Sequence, residues 1–328
     1  AVLALLMFFP LRLWLRALGR KLAASERAPD GRLRRSGLAV WLMTVGTLLP
    51  GFAAVVLIGS LEAIGAIPPR LETTAFNFQV ATFVAAFMAA VSAAVLVPKR
   101  PSWRLMTLDD DLAWRLRKYA WCAAALTWVS IMLVALNKAA RTGQVTTVAV
   151  DGLMALTYMA LIVAILVSLA RMHRRQAEEA QAKLEAQGDQ PTKPKASTRR
   201  SGWIVLARVA GNLVVTAAVI ASLLGYLNFA MFVGQQLIWG AMVLMATSVL
   251  LKFVNDLAIW LLSPGGRIGQ TVVLTTGLSA ARLEQGGVLL SALLRIGVVL
   301  LAVLMLTAAF GNTNALLGGL DTLSKGIT

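Results

Sequence analysis

Eight apolar runs, each long enough or nearly long enough to cross a bilayer, constrain this chain more than any other feature. About 20 helical residues cross the roughly 30 Å hydrocarbon core of a membrane. Lipid offers the backbone no hydrogen-bond partners, so such segments must be helical, and none of them alternates like a barrel strand. The sequence therefore predicts an all-α, polytopic transmembrane helical bundle. The runs cover approximately residues 1–18, 38–61, 76–97, 119–136, 152–170, 203–225, 229–251 and 287–310.

The composition agrees with a membrane protein. Hydrophobic residues make up 58% of the chain and charged residues 14%, and the mean hydropathy is +0.75. A soluble core could not hide so much apolar surface. The formal net charge of +16 would suggest nucleic acid as a partner of a soluble protein. Here the basic residues lie in blocks between the apolar runs, which indicates membrane topology, and we expect no nucleic-acid partner.

The distribution of lysine and arginine predicts the orientation in the membrane, because cytoplasmic loops are enriched in them. Of the 31 basic residues, 24 fall in the first, third, fifth and seventh loops, where Arg16 at the end of the first run is counted with the first loop. Another 4 fall in the other loops and the C-terminal tail, and 3 lie deeper within the spans. We therefore expect a bacterial-type inner-membrane protein with both ends of this chain in the periplasm. Because Ala1 already lies in an apolar run, we also expect the chain to be part of a longer protein.

A polar, low-complexity stretch at residues 176–201 divides the chain. Its composition is typical of a flexible linker, which the charge pattern places in the cytoplasm. The sequence thus predicts an N-terminal five-helix bundle at residues 1–175 and a three-helix module at residues 202–328.

The seventh loop, at about residues 252–286, is too apolar for an ordinary solvated connection. Pro264, Gly265 and Gly266 predict a turn within it. We expect an interfacial helical hairpin that lies on, or dips into, the cytoplasmic leaflet. The glycines do not indicate a nucleotide site, because no GxxxxGK[ST] sequence and no preceding strand accompany them.

Three arginines lie inside apolar runs, namely Arg12, Arg208 and Arg295. A charge inside the membrane is costly and often functional. All three lie toward the predicted cytoplasmic side, where long arginine stems can reach the headgroups. Two interpretations stay open, snorkelling to the surface or a buried pair or lipid-binding site. Arg295 is the deepest of the three, and it is the strongest candidate for holding an anionic lipid headgroup between helices.

Small residues recur at four-residue spacing in two of the predicted spans. Such faces let helices approach closely in lipid, so we expect packing seams rather than ligand sites. The third span contains Ala85, Ala89 and Ala93 beside Ala86, Ala90 and Ala94, and the sixth contains Ala217, Ala221 and Gly225.

No catalytic motif is present in the sequence. HExxH and GxSxG are both absent. Cys122 is the single cysteine and His173 the single histidine, so neither a disulfide framework nor a Cys/His metal set can form. We therefore expect no enzymatic activity, no cofactor and no metal.

Polar and aromatic residues within the spans leave two questions open. Asn212, Gln235 and Gln236 place amides inside predicted spans, so a transporter is harder to exclude than an enzyme. Trp128 and Trp239 lie deeper than the headgroup level that tryptophan favours, and no feature of the sequence explains them.

Three segments toward the C-terminus carry a family resemblance. They are YLNFAMFVGQQLIW (226–239), LLSPGGRIGQ (261–270) and GLSAARLEQGGVLLSALLRIGVVLLAVL (277–304). The chain resembles the region that precedes the channel domain in the large members of the MscS-like mechanosensitive channel family. The resemblance implies a homo-oligomer of seven subunits that contacts membrane lipids. The pore-lining helix and cytoplasmic vestibule of the family have no counterpart in this chain, so no pore residue is named.

The expected function follows from this resemblance and from the topology. It is that of the membrane-tension-sensing transmembrane region of a channel that releases ions and small osmolytes on hypo-osmotic shock. Two other classes stay open, a secondary transporter or permease and a non-conducting membrane scaffold.

Overall fold

The structure, a computed structural model, describes residues 10–24, 32–96, 110–186, 211, 213–221, 224–262 and 280–308. All regular structure in these ranges is helical. The elements are α1 (Arg12–Ala24), α2 (Arg32–Ala63), the 3₁₀ turn η1 (Pro69–Leu71), α3 (Glu72–Leu96), α4 (Asp110–Ala139), α5 (Gln144–Ala186), α6 (Leu227–Leu262) and α7 (Ala280–Ala308). A short helical segment at 213–221 lies between α5 and α6.

Six helical stretches in the described part of the chain are long and apolar enough to cross a membrane. This confirms the prediction of an all-α, multi-pass membrane protein. The predicted spans 1–18 and 203–225 lie partly outside the described residues, so the count of eight stays a prediction. The six stretches are Leu33–Ala63, Pro69–Leu96, Ala113–Ala139, Gln144–Ser168, Phe229–Leu262 and Gln285–Thr307.

The helices extend beyond the predicted apolar runs. α6 has 36 residues, which corresponds to about 54 Å of helix. Residues 252–262 continue α6 and residues 280–286 begin α7, so these two flanks of the predicted hairpin belong to long helices, and residues 263–279 between them lie outside the described ranges. The reason is local, because no proline or glycine interrupts residues 252–262. The predicted turn at Pro264, Gly265 and Gly266 lies outside the described residues.

α5 also continues further than its apolar run. It reaches Ala186, so the first residues of the predicted linker belong to the same helix as the preceding span. Residues 187–201 lie outside the described ranges.

Aromatic contacts fix the antiparallel order of the first helices. Phe52 of α2 meets Phe83 of α3 edge to face, with ring centroids 5.9 Å apart. Phe78 of α3 meets Trp128 of α4 in the same geometry, also at 5.9 Å. Consecutive helices therefore run in opposite directions, and the short α2–α3 and α4–α5 turns lie at one end of the bundle. We call that end the short-turn end and the opposite end, where α2 and α4 begin, the basic end.

α6 occupies the centre of the described fold, since it packs against α2, α3, α5 and α7. One buried cluster forms around Met88, Tyr158 and Met242. A second forms around Val91 and Val249 on the side facing α2. The two clusters together hold α6 against the antiparallel helices before it.

The alanine-rich face of α3 lies at a close helix approach. A Cβ on Gly46 of α2 would stand only 2.7 Å from the Cβ of Ala90. Small residues on both helices are what permit this distance. Of the alanines singled out in this span, four are buried and two half-buried; the buried ones are Ala86, Ala89, Ala90 and Ala94, and the half-buried ones Ala85 and Ala93.

The second predicted seam is different. Ala217 is exposed and Ala221 half-buried. Gly225 lies in the turn before α6 with φ +90°, and no atom would contact a Cβ at this position. Its role here is therefore conformational, because glycine adopts a positive φ without steric cost, and it does not extend a helix-packing face.

Candidate functional site in the membrane-spanning bundle

Four polar side chains meet between α4, α5 and α6, close to the midpoints of the α4 and α5 spans. Tyr158 is completely buried, and its hydroxyl donates a hydrogen bond of 3.4 Å to Oγ1 of Thr127. Gln235 donates from Nε2 to Oγ of Ser130 over 3.2 Å. Ser130 and Gln235 also lie within hydrogen-bonding reach of the Tyr158 hydroxyl. We call these four residues the polar cluster.

The polar cluster joins three helices that the hydrophobic effect would not hold together in lipid, because lipid tails are as apolar as the helix surfaces. Inside a bilayer, polar side chains find partners on neighbouring helices, because the lipid offers none. Thr127 and Ser130 are three residues apart and share one face of α4, which is the face that meets Tyr158. All four groups are uncharged at neutral pH, so the cluster suits helix association or the binding of a neutral polar group.

A small cavity of about 170 Å³ adjoins the polar cluster. Gln235, Gln236 and Thr127 supply its polar lining, and Met88, Ile131 and Trp239 supply its apolar lining. The amide and hydroxyl groups provide enough hydrogen-bonding partners for water molecules in this volume.

A larger cavity of about 670 Å³ lies nearer the basic end, among α3, α4, α5, α6 and the 213–221 segment. Its lining is almost entirely aliphatic, as at Leu96, Ile162 and Met242. Among its polar residues, Ser92 bonds the carbonyl of Ala89 at 2.9 Å and Tyr119 bonds Ser168 at 2.8 Å. The cavity is therefore suited to a hydrocarbon chain, and it has few hydrogen-bonding groups for a charged or strongly polar solute.

Two hydrogen bonds connect α6 to its neighbours near the basic end. Ser36 of α2, which is fully buried, donates to Oδ2 of Asp256 over 2.7 Å. On the adjacent residue of α6, Asn255 accepts a hydrogen bond from the Arg295 guanidinium of α7. Adjacent positions on α6 thus hold α2 on one side and α7 on the other.

This arrangement bears on the two interpretations of Arg295. Asn255 lies about 42 Å along α6 from Leu227, farther than the thickness of the hydrocarbon core. Arg295 is exposed and lies level with the first turns of α2 through the Ser36–Asp256 contact. It therefore occupies the end of the bundle rather than its middle, where an arginine can reach headgroups.

Of the other two arginines in the lipid-binding hypothesis, the structure describes one. Arg12 is half-buried in α1, one turn before Arg16. Arg208 lies outside the described residues. Arg12 and Arg295 lie on different helices, α1 and α7, and the lipid-binding role of the three arginines stays a prediction.

The two deep tryptophans have specific partners. Trp128 donates from Nε1 to Oγ1 of Thr82 over 3.3 Å. Trp239 donates from Nε1 to the backbone carbonyl of Met305 over 2.9 Å, which links α6 to α7. Each indole is thus satisfied by a neighbouring helix, a pairing that no sequence periodicity indicates.

No group of three or more His, Cys, Asp or Glu side chains in the described ranges could hold a metal ion. Cys122 is exposed on α4. The polar cluster and the two cavities are features of the described bundle that could receive an uncharged ligand.

The helical spans, the buried polar cluster and the hydrogen bonds between helices define this chain as a multi-pass α-helical membrane protein. No protein-family model matches its sequence, and neither a curated protein nor a solved structure matches it.

Proposed function

We propose that this chain is the membrane-tension-sensing transmembrane region of an MscS-like mechanosensitive channel, which releases ions and small osmolytes on hypo-osmotic shock. The observation that carries the proposal is the placement of α7. This helix packs chiefly against α6. Among residues 285–307, Ser291 and Ala302 are the buried positions. Within the described part of the chain, a long apolar helix that packs chiefly against one neighbour presents most of its surface to lipid and can tilt without repacking the core.

The lengths of the two paired helices supply a physical mechanism. α6 has 36 residues and α7 has 29, or about 54 and 44 Å of helix, compared with roughly 30 Å of hydrocarbon. An apolar helix that exceeds the bilayer thickness tilts, and a thinner bilayer favours more tilt. Because tension thins and widens the bilayer, it favours the conformation in which the α6–α7 pair is more inclined.

The remaining helices supply an anchor for this motion. α6 also packs against α2, α3 and α5, so a tilt of the α6–α7 pair acts against a bundle held by the polar cluster. The apolar cavity of about 670 Å³ borders α6 and leaves space into which this helix can move. In the family that the chain resembles, pore helices follow this region, and they would receive the displacement.

The proposal also covers the localisation of the protein and its oligomeric state. The protein lies in a bacterial inner membrane with the basic end in the cytoplasm and both ends of the chain in the periplasm, which the positive-inside rule supports. It forms a homo-oligomer surrounded by membrane lipids, and the resemblance implies seven subunits.

Patch-clamp recording of the full-length protein in liposomes tests the proposal. We expect tension-gated current from the full-length protein and none from residues 1–328 alone. Trp239→Phe removes the hydrogen bond to Met305 and keeps the ring contact with Phe87, whose centroid lies 5.7 Å away. Because this change loosens the α6–α7 pair, we expect a higher tension threshold.

Trp260→Phe is the matched control, since Trp260 is exposed on the same helix. We expect this substitution to leave the tension threshold unchanged. Absence of any tension-gated current from the full-length protein would refute the proposal. Current through residues 1–328 alone would refute the proposal that this region senses tension while a separate region forms the pore.

A secondary transporter is the second candidate, and the small cavity beside Gln235 and Gln236 is the observation in its favour. Amides close to the bilayer midplane are typical of substrate sites in transporters. A transporter would move a solute down an imposed gradient in liposomes without tension, and Gln235→Leu would abolish that flux. The channel proposal expects no such flux.

A further inference from the structure

Arginines at four-residue spacing share one face of α1. They are Arg12, Arg16 and Arg20, and residues four apart are neighbours on a helix surface. Like charges at this spacing repel each other and destabilise the helix. The Nε atom of Arg20 donates to the carbonyl of Arg16 over 3.2 Å, so this side chain folds back along the same face. The helix therefore concentrates positive charge on one side.

Arg16 extends from this face into the bundle. Its Nη2 atom lies 2.9 Å from the position that a Cβ on Gly46 would occupy, so the absence of a side chain at Gly46 makes room for the guanidinium. Trp41, also on α2, donates from Nε1 to the carbonyl of Leu15 over 3.0 Å and its ring packs over Gly19. These contacts hold α1 against α2 and set the position of Arg16.

A fourth cation comes from another helix. Arg117 of α4, together with Arg12 and Arg20, lies close enough to Arg16 to repel its charge. Arg16 is half-buried, and its Nε atom is buried with no hydrogen-bond partner within the described structure. Like charges around a half-buried arginine and a buried donor atom without an acceptor both cost free energy.

An anion between these guanidinium groups would remove both costs. We propose that Arg16, with Arg12, Arg20 and Arg117, forms a binding site for one phosphate group between α1, α2 and α4. A planar guanidinium donates two parallel hydrogen bonds to phosphate oxygens, which is why arginine recurs in phosphate sites. The phosphate belongs to an anionic phospholipid headgroup or to a free phosphate ion. The site does not rest on the proposed channel function, and each can fail without the other.

The position of the site along the bundle agrees with a phosphate ligand. Arg117 is in the first turns of α4, and Arg16 and Arg20 precede the C-terminal end of α1. Both helix ends belong to the basic end of the bundle, where headgroups and dissolved phosphate can reach. The Arg16 guanidinium itself meets Gly46, which lies about 21 Å of helix beyond Arg32 at the start of α2, so a phosphate held by Arg16 lies about four turns below that end.

The purified full chain in nanodiscs tests the proposal through two probes. The first is phosphatidylglycerol at increasing mole fraction in phosphatidylcholine, with the lipids retained on the protein counted by native mass spectrometry. The second is inorganic phosphate added in pure phosphatidylcholine, with the unfolding temperature measured against chloride at equal ionic strength. The variants are Arg16→Gln and Arg117→Gln. Arg115→Gln is the control, since Arg115 is exposed on α4 and carries the same charge.

We expect Arg16→Gln and Arg117→Gln to weaken binding of one of the two probes by about tenfold, and Arg115→Gln to change it less than twofold. Loss of phosphatidylglycerol retention identifies a lipid headgroup as the ligand, and loss of the phosphate-induced stabilisation identifies a free anion. The proposal is overturned if both variants bind both probes as Arg115→Gln does. Arg117 lies on a different helix from Arg16. The Arg117→Gln variant therefore tests the phosphate site even if the Arg16→Gln variant does not fold.

Discussion

The hydroxyl of Ser36 donates a 2.7 Å hydrogen bond to the carboxylate of Asp256 across a sequence separation of 220 residues. This bond ties the first long helix of the described fold to the central helix α6. Hydrogen bonds to charged groups contribute about 1.5–3 kcal/mol in soluble proteins, and helix–helix hydrogen bonds in membranes average about 0.6 kcal/mol.

A double-mutant cycle with Ser36→Ala and Asp256→Leu, neither of which keeps its partner in this hydrogen bond, should therefore give a coupling free energy of about 1 kcal/mol. The measurement is the free energy of unfolding in mixed detergent micelles. Ser248→Ala is the control, because Ser248 is exposed and bonds only the Met245 carbonyl of its own helix; we expect a change within about 0.5 kcal/mol. Strict additivity of the two substitutions would show that the contact contributes nothing to stability.

Tyr158→Phe should destabilise the bundle by about 0.6–1.7 kcal/mol. The substitution keeps the buried ring and removes the hydroxyl that bonds Thr127. The decrease in the free energy of unfolding therefore measures the hydrogen bonds of the polar cluster and not the packing of the ring. Tyr226→Phe makes the same chemical change at a residue that is 67% exposed and should be neutral. Equal unfolding free energies for the two variants would contradict a stabilising role of the cluster.

Gly51→Ala should destabilise the protein by about 1–3 kcal/mol. A Cβ at this position would overlap the ring of Phe83 on α3, so the two helices would have to separate. Gly59→Ala, on the same helix with nothing within 4 Å of the new Cβ, should instead stabilise by about 0.5–1 kcal/mol. The comparison is made by thermal unfolding, and the same sign for both variants would rule out the close α2–α3 contact.

Cysteine labelling should report the orientation of the two ends of the bundle. In a Cys122→Ser background, Ala66→Cys in the exposed α2–α3 turn should react with a membrane-impermeant maleimide added to the periplasmic side. Glu178→Cys, exposed on the distal part of α5, should react only after the cytoplasmic side is opened. The reverse pattern would invert the orientation that the basic loops predict.

Much of the fold follows from consecutive residues. The helices α2 to α7 lie where apolar runs reach or nearly reach the length of a bilayer crossing, and the structure moves their ends by several residues, as at Leu262 of α6 and Ala186 of α5. The predicted span ends at residue 251, before the charged residues Lys252 and Asp256, whereas α6 continues through residues 252–262. In the structure, Asp256 instead meets Ser36, so the helix continues past a paired carboxylate.

The candidate sites were predictable only in part. Gln235 was singled out as an amide within a span, whereas its neighbours Tyr158 and Ser130 were not. Thr127 and Ser130, three residues apart in α4, gave the one sequence signal that a polar face was present. Arg16 lies near the end of an apolar run, where an arginine is ordinary, and only the approach of its guanidinium to Gly46 and the nearby charge of Arg117 make it distinctive.

The sequence by itself determined that the chain crosses a membrane several times as helices, because hydrophobic length and backbone hydrogen bonding are local properties of consecutive residues. Tertiary structure alone decided which polar groups meet, as for Gln235 and Ser130, which are 105 residues apart. Such pairs depend on the rotation and depth of each helix relative to its neighbours. Those quantities arise from packing between helices and are not properties of any one segment.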